Sequence, residues 1–228
     1  VREAIGLPSI VLGASFLGFG SVVRDSGLEM WHGLVSTITA WALPGQMVLI
    51  ELYGVGASLA AMAVAVALTN ARLLPMTVSL LPQLRHPGLP AWRMYLYANF
   101  VAVTGWAFAM RKNPELPVEH RADWFLAFAA TLWVVSIAAT AAGWHLAGAV
   151  PRPVALGLVF LNPLYFFLLL LADARTPTRW MAIGLGALLG PPLHLATPEW
   201  GLLATGLVAG TAAFLAGRRI EAARRRLP

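Results

Sequence analysis

Eight stretches of this chain carry no Lys, Arg, Asp or Glu: residues 4–23, 30–50, 52–71, 94–110, 124–151, 153–172, 180–198 and 200–217, each 17 to 28 residues long. A helix rises about 1.5 Å per residue, so roughly 17 to 25 residues cross a hydrocarbon layer about 30 Å thick. Core helices of a soluble domain would show an apolar stripe of period 3.6, yet Leu161 to Leu171 offers no polar face beyond Asn162. Composition agrees: 11% of residues are charged, where soluble domains carry roughly 25%. The expectation is an all-α polytopic membrane helix bundle with seven or eight crossings. A single transmembrane domain over 1–217 would be followed by a short basic cytoplasmic tail, 218–228.

Several chemistries fall away at once. There is no cysteine, so neither a disulfide nor a thiolate metal site can form. The five histidines (His32, His86, His120, His145, His194) make no HxxxH or HxxE pair, so neither a metal nor another cofactor is expected. The first run ends at Arg24-Asp25 rather than at a small-residue cleavage site, and reads as a retained span. A net charge of +6 comes without a basic stripe interleaved with aromatics, which speaks against nucleic acid and for membrane lipid contact.

Orientation follows from the arginines. Arg218, Arg219, Arg224, Arg225 and Arg226 follow the last run, which places the C-terminus in the cytoplasm by the positive-inside rule. Arg175, Arg179, Arg111, Lys112 and Arg121 then fall inside, and Arg152 outside. The N-terminal half is open, because 57–82 reads either as one tilted helix with an arginine near its middle or as a hairpin of two half-helices. Trp31, Trp92, Trp124, Trp180 and Trp200 fall at run ends, as an aromatic belt requires.

Polar groups at bilayer depth cost free energy and persist where a partner, cavity or function offsets it. Arg72 sits between an apolar run and Leu73-Leu74-Pro75. It suits a bidentate carboxylate contact, or else a helix-end cap or an ion pair with Glu51. Asn70 lies two residues earlier. In the preceding run Pro44 and Gly45 interrupt the backbone beside Gln46. Broken helices are therefore expected near 44–46 and 70–75, with Pro44, Gly45 and Pro75 as breakers, as in the discontinuous helices of transporters. Asn162-Pro163 repeats the amide-before-proline theme, while Thr104, Ser136 and Thr140 are small polar positions that often bond a carbonyl one turn back. Gln46, Asn70, Arg72, Thr104 and Asn162 form the candidate substrate-binding set. Gly186-x-x-x-Gly190 and Gly206-x-x-x-Gly210 suggest close packing of the last two spans.

The stretch ALPGQMVLIELYGVGASLAAMAVAVALTNARLLPMTVSLLPQL, residues 42–84, resembles the AzlC family of branched-chain amino acid permeases. Gln46, the Asn70-x-Arg72 element and Ser79-Leu80-x-Pro82 fall on the family's motif positions. Trp133, Thr140 and Gly143, then Pro153 and Gly157-Leu158, extend the likeness over nearly the whole chain. The resemblance implies an inner-membrane exporter of hydrophobic amino acids working with a small membrane partner of the AzlD type, or as a homo-oligomer. Two departures stand out. Thr104 is followed by Gly105-Trp106 where the family has Asp-Glu, and Ser15-Phe16-Leu17 stands where it tends to have Pro-Phe-Gly.

Three functions are in view. The leading one is a transporter binding a small hydrophobic amino acid, with Arg72 on its carboxylate and aliphatic walls around its side chain. A second is a membrane subunit that needs a small partner to move a different metabolite. The third, an intramembrane lipid-modifying enzyme, lacks support, since no GxSxG or HExxH occurs and the acids near spans, Glu51 and Asp173, stand singly.

Overall fold

The computed structural model describes residues 3–149, 151–174, 176–196 and 201–224. Arg2, Arg175, Trp200, Arg225 and Arg226 lie outside the described residues, as do the side chains of Asp173, Arg219 and Arg224. Among the described residues there are eleven α-helices and no strand. They are α1 Leu7–Asp25, α2 Met30–Thr39, α3 Leu43–Gly54, α4 Leu59–Asn70, α5 Leu73–Leu84, α6 Ala91–Asn99, α7 Val103–Lys112, α8 Val118–Leu146, α9 Arg152–Asp173, α10 Pro177–Ala196 and α11 Gly201–Arg224. A short 3-10 turn, Asn113–Glu115, joins α7 to α8. The chain forms two compact units, Val1–Phe166 and Phe167–Pro228.

The axis of the first unit is the parallel pair α1 and α8, packed more extensively than any other two helices. Glycines let their backbones meet. A side chain at Gly20 would collide with the Thr140 carbonyl, and one at Gly143 with the carbonyl of Leu17. Phe16, Phe19, Phe125, Phe128 and Leu132 fill the surrounding core at 1% exposure or less. At one end Arg24 donates to the Trp144 and His145 carbonyls at 3.2 and 3.3 Å, capping α8. At the other end Lys112 pairs with Glu3 and Glu115 at 3.1 and 3.0 Å. These define an Arg24 end and a Lys112 end.

Against that axis, α2 and α3 form a hairpin that enters and leaves at the Arg24 end. In a straight helix Ser36 and Gln46 would be about 15 Å apart along the axis, but Gln46 Nε2 donates to Ser36 Oγ and Thr37 Oγ1, both at 3.0 Å. Trp31, at the start of α2, and Tyr53, near the end of α3, line one cavity beside Phe19 and Val23 of α1. The α6–α7 pair does the same from the Lys112 end. Met94 and Ala98 of α6 share a pocket with Leu81 and Arg85, while Gln83 donates to Met110 of α7 and accepts from Asn113 at 3.2 Å.

The stretch 57–82, by contrast, runs from one end to the other. It begins beside the α2–α3 cavity, ends beside Asn113, and bends by 54° at Ala71-Arg72 between α4 and α5. Among the described residues two single helices, α1 and α8, are long and apolar enough to cross a membrane, and α4–α5 makes a third if the bent pair is one span. The runs 30–50 and 94–110, counted as crossings from the sequence, instead double back. Their breaks leave half-helices of 10 and 12, then 9 and 10 residues, which at about 1.5 Å per residue reach only partway through a bilayer.

The breaks differ in detail from those expected. The first spans Ala40–Ala42, upstream of 44–46, and Pro44 lies in the first turn of α3, where its missing N–H would have had no helical partner. Trp41 adopts a φ of 29°, a left-handed angle that is costly for a bulky side chain. The second break is Ala71-Arg72, and Pro75 likewise sits in the first turn of α5 rather than at the bend. A third break at Phe100–Ala102 was not expected. It has neither proline nor glycine, only Asn99 and the β-branched Val101, Val103 and Thr104 nearby.

In the second unit α10 packs on α11, and of the glycines expected at that contact Gly190 takes part, its Cβ position lying 3.8 Å from the Thr205 side chain. A Cβ at Gly186, Gly206 or Gly210 would meet nothing within 4 Å, whereas Gly217 abuts the Thr178 side chain and Gly201 the backbone of Leu193 and His194. Trp31, Trp92 and Trp180 are exposed, while Trp124 turns inward and stacks on Phe128 at 5.2 Å.

Candidate functional site

All three breaks in the first unit reach one small cavity. Trp41 to Pro44 contribute from the α2–α3 hairpin, Arg72 and Leu73 from the α4–α5 bend, and Ala102 to Thr104 from the α6–α7 hairpin. Leu12 and Phe16 of α1 and Asn162 of α9 close it. Its volume, about 40 Å³, holds a few waters at most. It adjoins an apolar groove of about 180 Å³ lined by Leu43, Pro44, Met47, Leu156, Val159, Phe160, Asn162 and Pro163. Asn162 therefore stands where the chamber that holds Arg72 and Thr104 meets an aliphatic one. Pro163 cannot donate to the Val159 carbonyl.

Arg72 is the only basic residue among the described residues of the cavity lining. Its Nε is buried without a hydrogen-bond partner, and no acidic side chain pairs with it among the described residues. Glu51, the ion-pair partner considered from the sequence, is exposed on α3. The starts of α3, α5 and α7 all lack a side-chain cap, although at α5 the Leu74 N–H donates to the Ala71 carbonyl at 3.0 Å, and Pro44 and Pro75 have no N–H to offer. Thr104 is 2% and Asn162 7% exposed, and Asn162 Oδ1 has no partner.

The other two residues of the expected set lie one layer behind. Asn70 packs against Gly45, where a Cβ would come within 2.6 Å of its Oδ1. This contact locks the first break to the second. Gln46, 1% exposed, spends both N–H groups on Ser36 and Thr37, whose hydroxyls each donate to the Gly33 carbonyl at 2.9 Å. Thr37 also meets Thr140 at 3.2 Å, and Trp41 Nε1 donates to Ser136 Oγ at 3.0 Å. Ser136 and Thr140 thus tie the hairpin to α8 while each bonds a carbonyl one turn back. Gln46→Leu, which removes two buried hydrogen bonds, is expected to destabilise the protein by about 1 to 3 kcal/mol, read as a lower thermal unfolding midpoint in detergent.

Trp41 escaped the sequence reading, although a tryptophan in mid-run, far from either interface, was the available signal. The cavity contacts of Leu12 and Ala102 had none, being ordinary span residues, whereas Phe16 lies in the Ser15-Phe16-Leu17 stretch already marked as a departure from the family pattern.

Comparison with protein families finds a match of residues 9–150 to the AzlC protein family. Comparison with curated proteins and with solved structures finds no match. The matched stretch runs from α1 to α8, includes all three breaks and covers more than half of the chain, so the protein is a membrane protein of the AzlC family.

Proposed function

We propose that this chain is a secondary transporter that carries a small branched aliphatic molecule by its carboxylate, the family's branched-chain amino acids being the reference class, out across the bacterial inner membrane. One observation carries this: Arg72, whose buried Nε has no partner among the described residues, sits where three interrupted segments meet. Arg72 would hold the carboxylate, Thr104 and Asn162 would bond its polar neighbours, and the groove beside Asn162 would take the aliphatic part at about 0.8 kcal/mol per buried CH₂. Gln46 and Asn70 would hold the break geometry behind them.

The cavity is too small for such a molecule, so this is a closed form, and the hairpins must part on one side at a time. Opposed half-length hairpins suit that motion, because each can yield to its own side of the membrane while the other stays shut. In this reading α1, α4–α5 and α8 cross, and α9, α10 and α11, at 22, 20 and 24 residues, have the length for three further crossings. The arginine-rich C-terminus then lies in the cytoplasm. No described residue of α10 is buried, so lipid, a small AzlD-like subunit or a second copy covers that helix.

Efflux from proteoliposomes tests the proposal. A charge-assisted contact contributes about 1.5 to 3 kcal/mol, so Arg72→Gln is expected to slow flux of the carried substrate roughly 10- to 100-fold. Unchanged flux from a correctly inserted variant would remove the carboxylate role.

A further inference from the structure

We infer that the cavity selects a branched aliphatic monocarboxylate, an anion without an ammonium group, over the zwitterionic amino acid of the same skeleton. This rests on the cavity being the carboxylate site of a transporter.

The inference comes from what lines the chamber and what does not. The three breaks contribute the starts of α3, α5 and α7 and no residue of α2, α4 or α6. Helix starts present N–H donors and carry about half a positive charge each, here at α3 and α7 above all, since Leu74 of α5 already donates to the Ala71 carbonyl, whereas helix ends would have supplied the carbonyl oxygens an ammonium needs. Arg72 adds a full positive charge. No carboxylate is among the described lining residues, and Thr104 is followed by Gly105, not by an acid. A carboxylate entering here meets donors on several sides, but an ammonium one bond away meets like charge and no acceptor of opposite sign.

Asn162 is the second, independent pointer to a ligand. It is 7% exposed, lines the chamber, and carries a buried amide oxygen without a partner. An amide can turn either its N–H₂ or its oxygen inward, so it can donate to a neutral 2-oxo group or keep a hydroxyl. It brings no charge with which to neutralise an ammonium. The adjoining groove, almost wholly apolar and reached past Asn162, takes the branched tail.

The matched probes are leucine and 4-methyl-2-oxopentanoate, which share a carbon skeleton and differ only at the second carbon. The full chain in proteoliposomes is assayed by counterflow of each labelled probe, in wild type, Arg72→Gln and Asn162→Asp. The expected result is Arg72-dependent exchange of the oxo acid, with leucine exchanged or competing roughly tenfold less well or worse. Asn162→Asp, of the same shape but acidic, should move that preference toward leucine. If this variant does not insert, the wild-type ratio decides alone. Leucine exchanged as well as or better than the oxo acid, with Arg72→Gln abolishing both, would overturn the inference and leave the transport proposal standing. No exchange of either probe by folded wild type would overturn both.

Discussion

Gly143→Val is expected to leave little folded protein. A Cβ on Gly143 would lie inside the Leu17 carbonyl of α1, and the neighbouring close contact, Gly20 against the Thr140 carbonyl, leaves no direction in which α8 can slide. The obstacle is backbone, which cannot rotate aside as a side chain could. Overpacking a core typically costs about 1 to 3 kcal/mol, and sometimes more. Here it also separates the two helices on which both hairpins lean. The measurement is the yield of monodisperse protein from membranes, set against Gly148→Val, where a Cβ meets nothing within 4 Å. Near-normal yield of the Gly143 variant would mean that α1 and α8 do not approach in this way.

Gly45→Leu should separate transport from folding. The new side chain would be driven into the Asn70 amide, 2.6 to 3.0 Å from where its Cβ must sit. A side-chain amide can move, so the protein should still insert with a modest loss of stability. What it loses is the contact between the first break and the second, and with it the position of Arg72 relative to the α3 start. Flux should fall roughly tenfold or more, since a misplacement of about 1 Å in a positioned site can cost about a hundredfold. Normal flux would show that Asn70 and Gly45 need not touch.

The sequence announced the helices and the lipid through the spacing of charges, and two of the three breaks through proline, glycine, an amide and an arginine. Crossing was not legible, because a 21-residue apolar run satisfies the length rule whether it continues or turns back. Residues 30–50 and 94–110 both met that rule, yet the deciding contacts, Gln46 to Ser36 and Asn113 to Gln83, link residues that no local pattern pairs. The third break was hidden because a re-entrant turn buried in protein needs no special residue if its neighbours satisfy it. At Phe100 to Ala102 the neighbours are aromatic, with Phe100 edge-on to Trp41 and Trp133. Arg72 stood out because charge at depth is rare, while Thr104 and Asn162 looked like any small polar residues until the breaks converged on them.

The central claim is that two hairpins enter from opposite sides and meet at Arg72. The chain has no cysteine, so single substitutions Asp25→Cys, Val55→Cys, Pro87→Cys and Glu119→Cys, all at exposed positions, can each report a side through a membrane-impermeant maleimide in intact and permeabilised cells. The account predicts that 25 and 55 label together from one side, and that 87 and 119 label together from the other. Labels that alternate side by side along 25, 55, 87 and 119 would mean that α2–α3 and α6–α7 cross the membrane, which would contradict it.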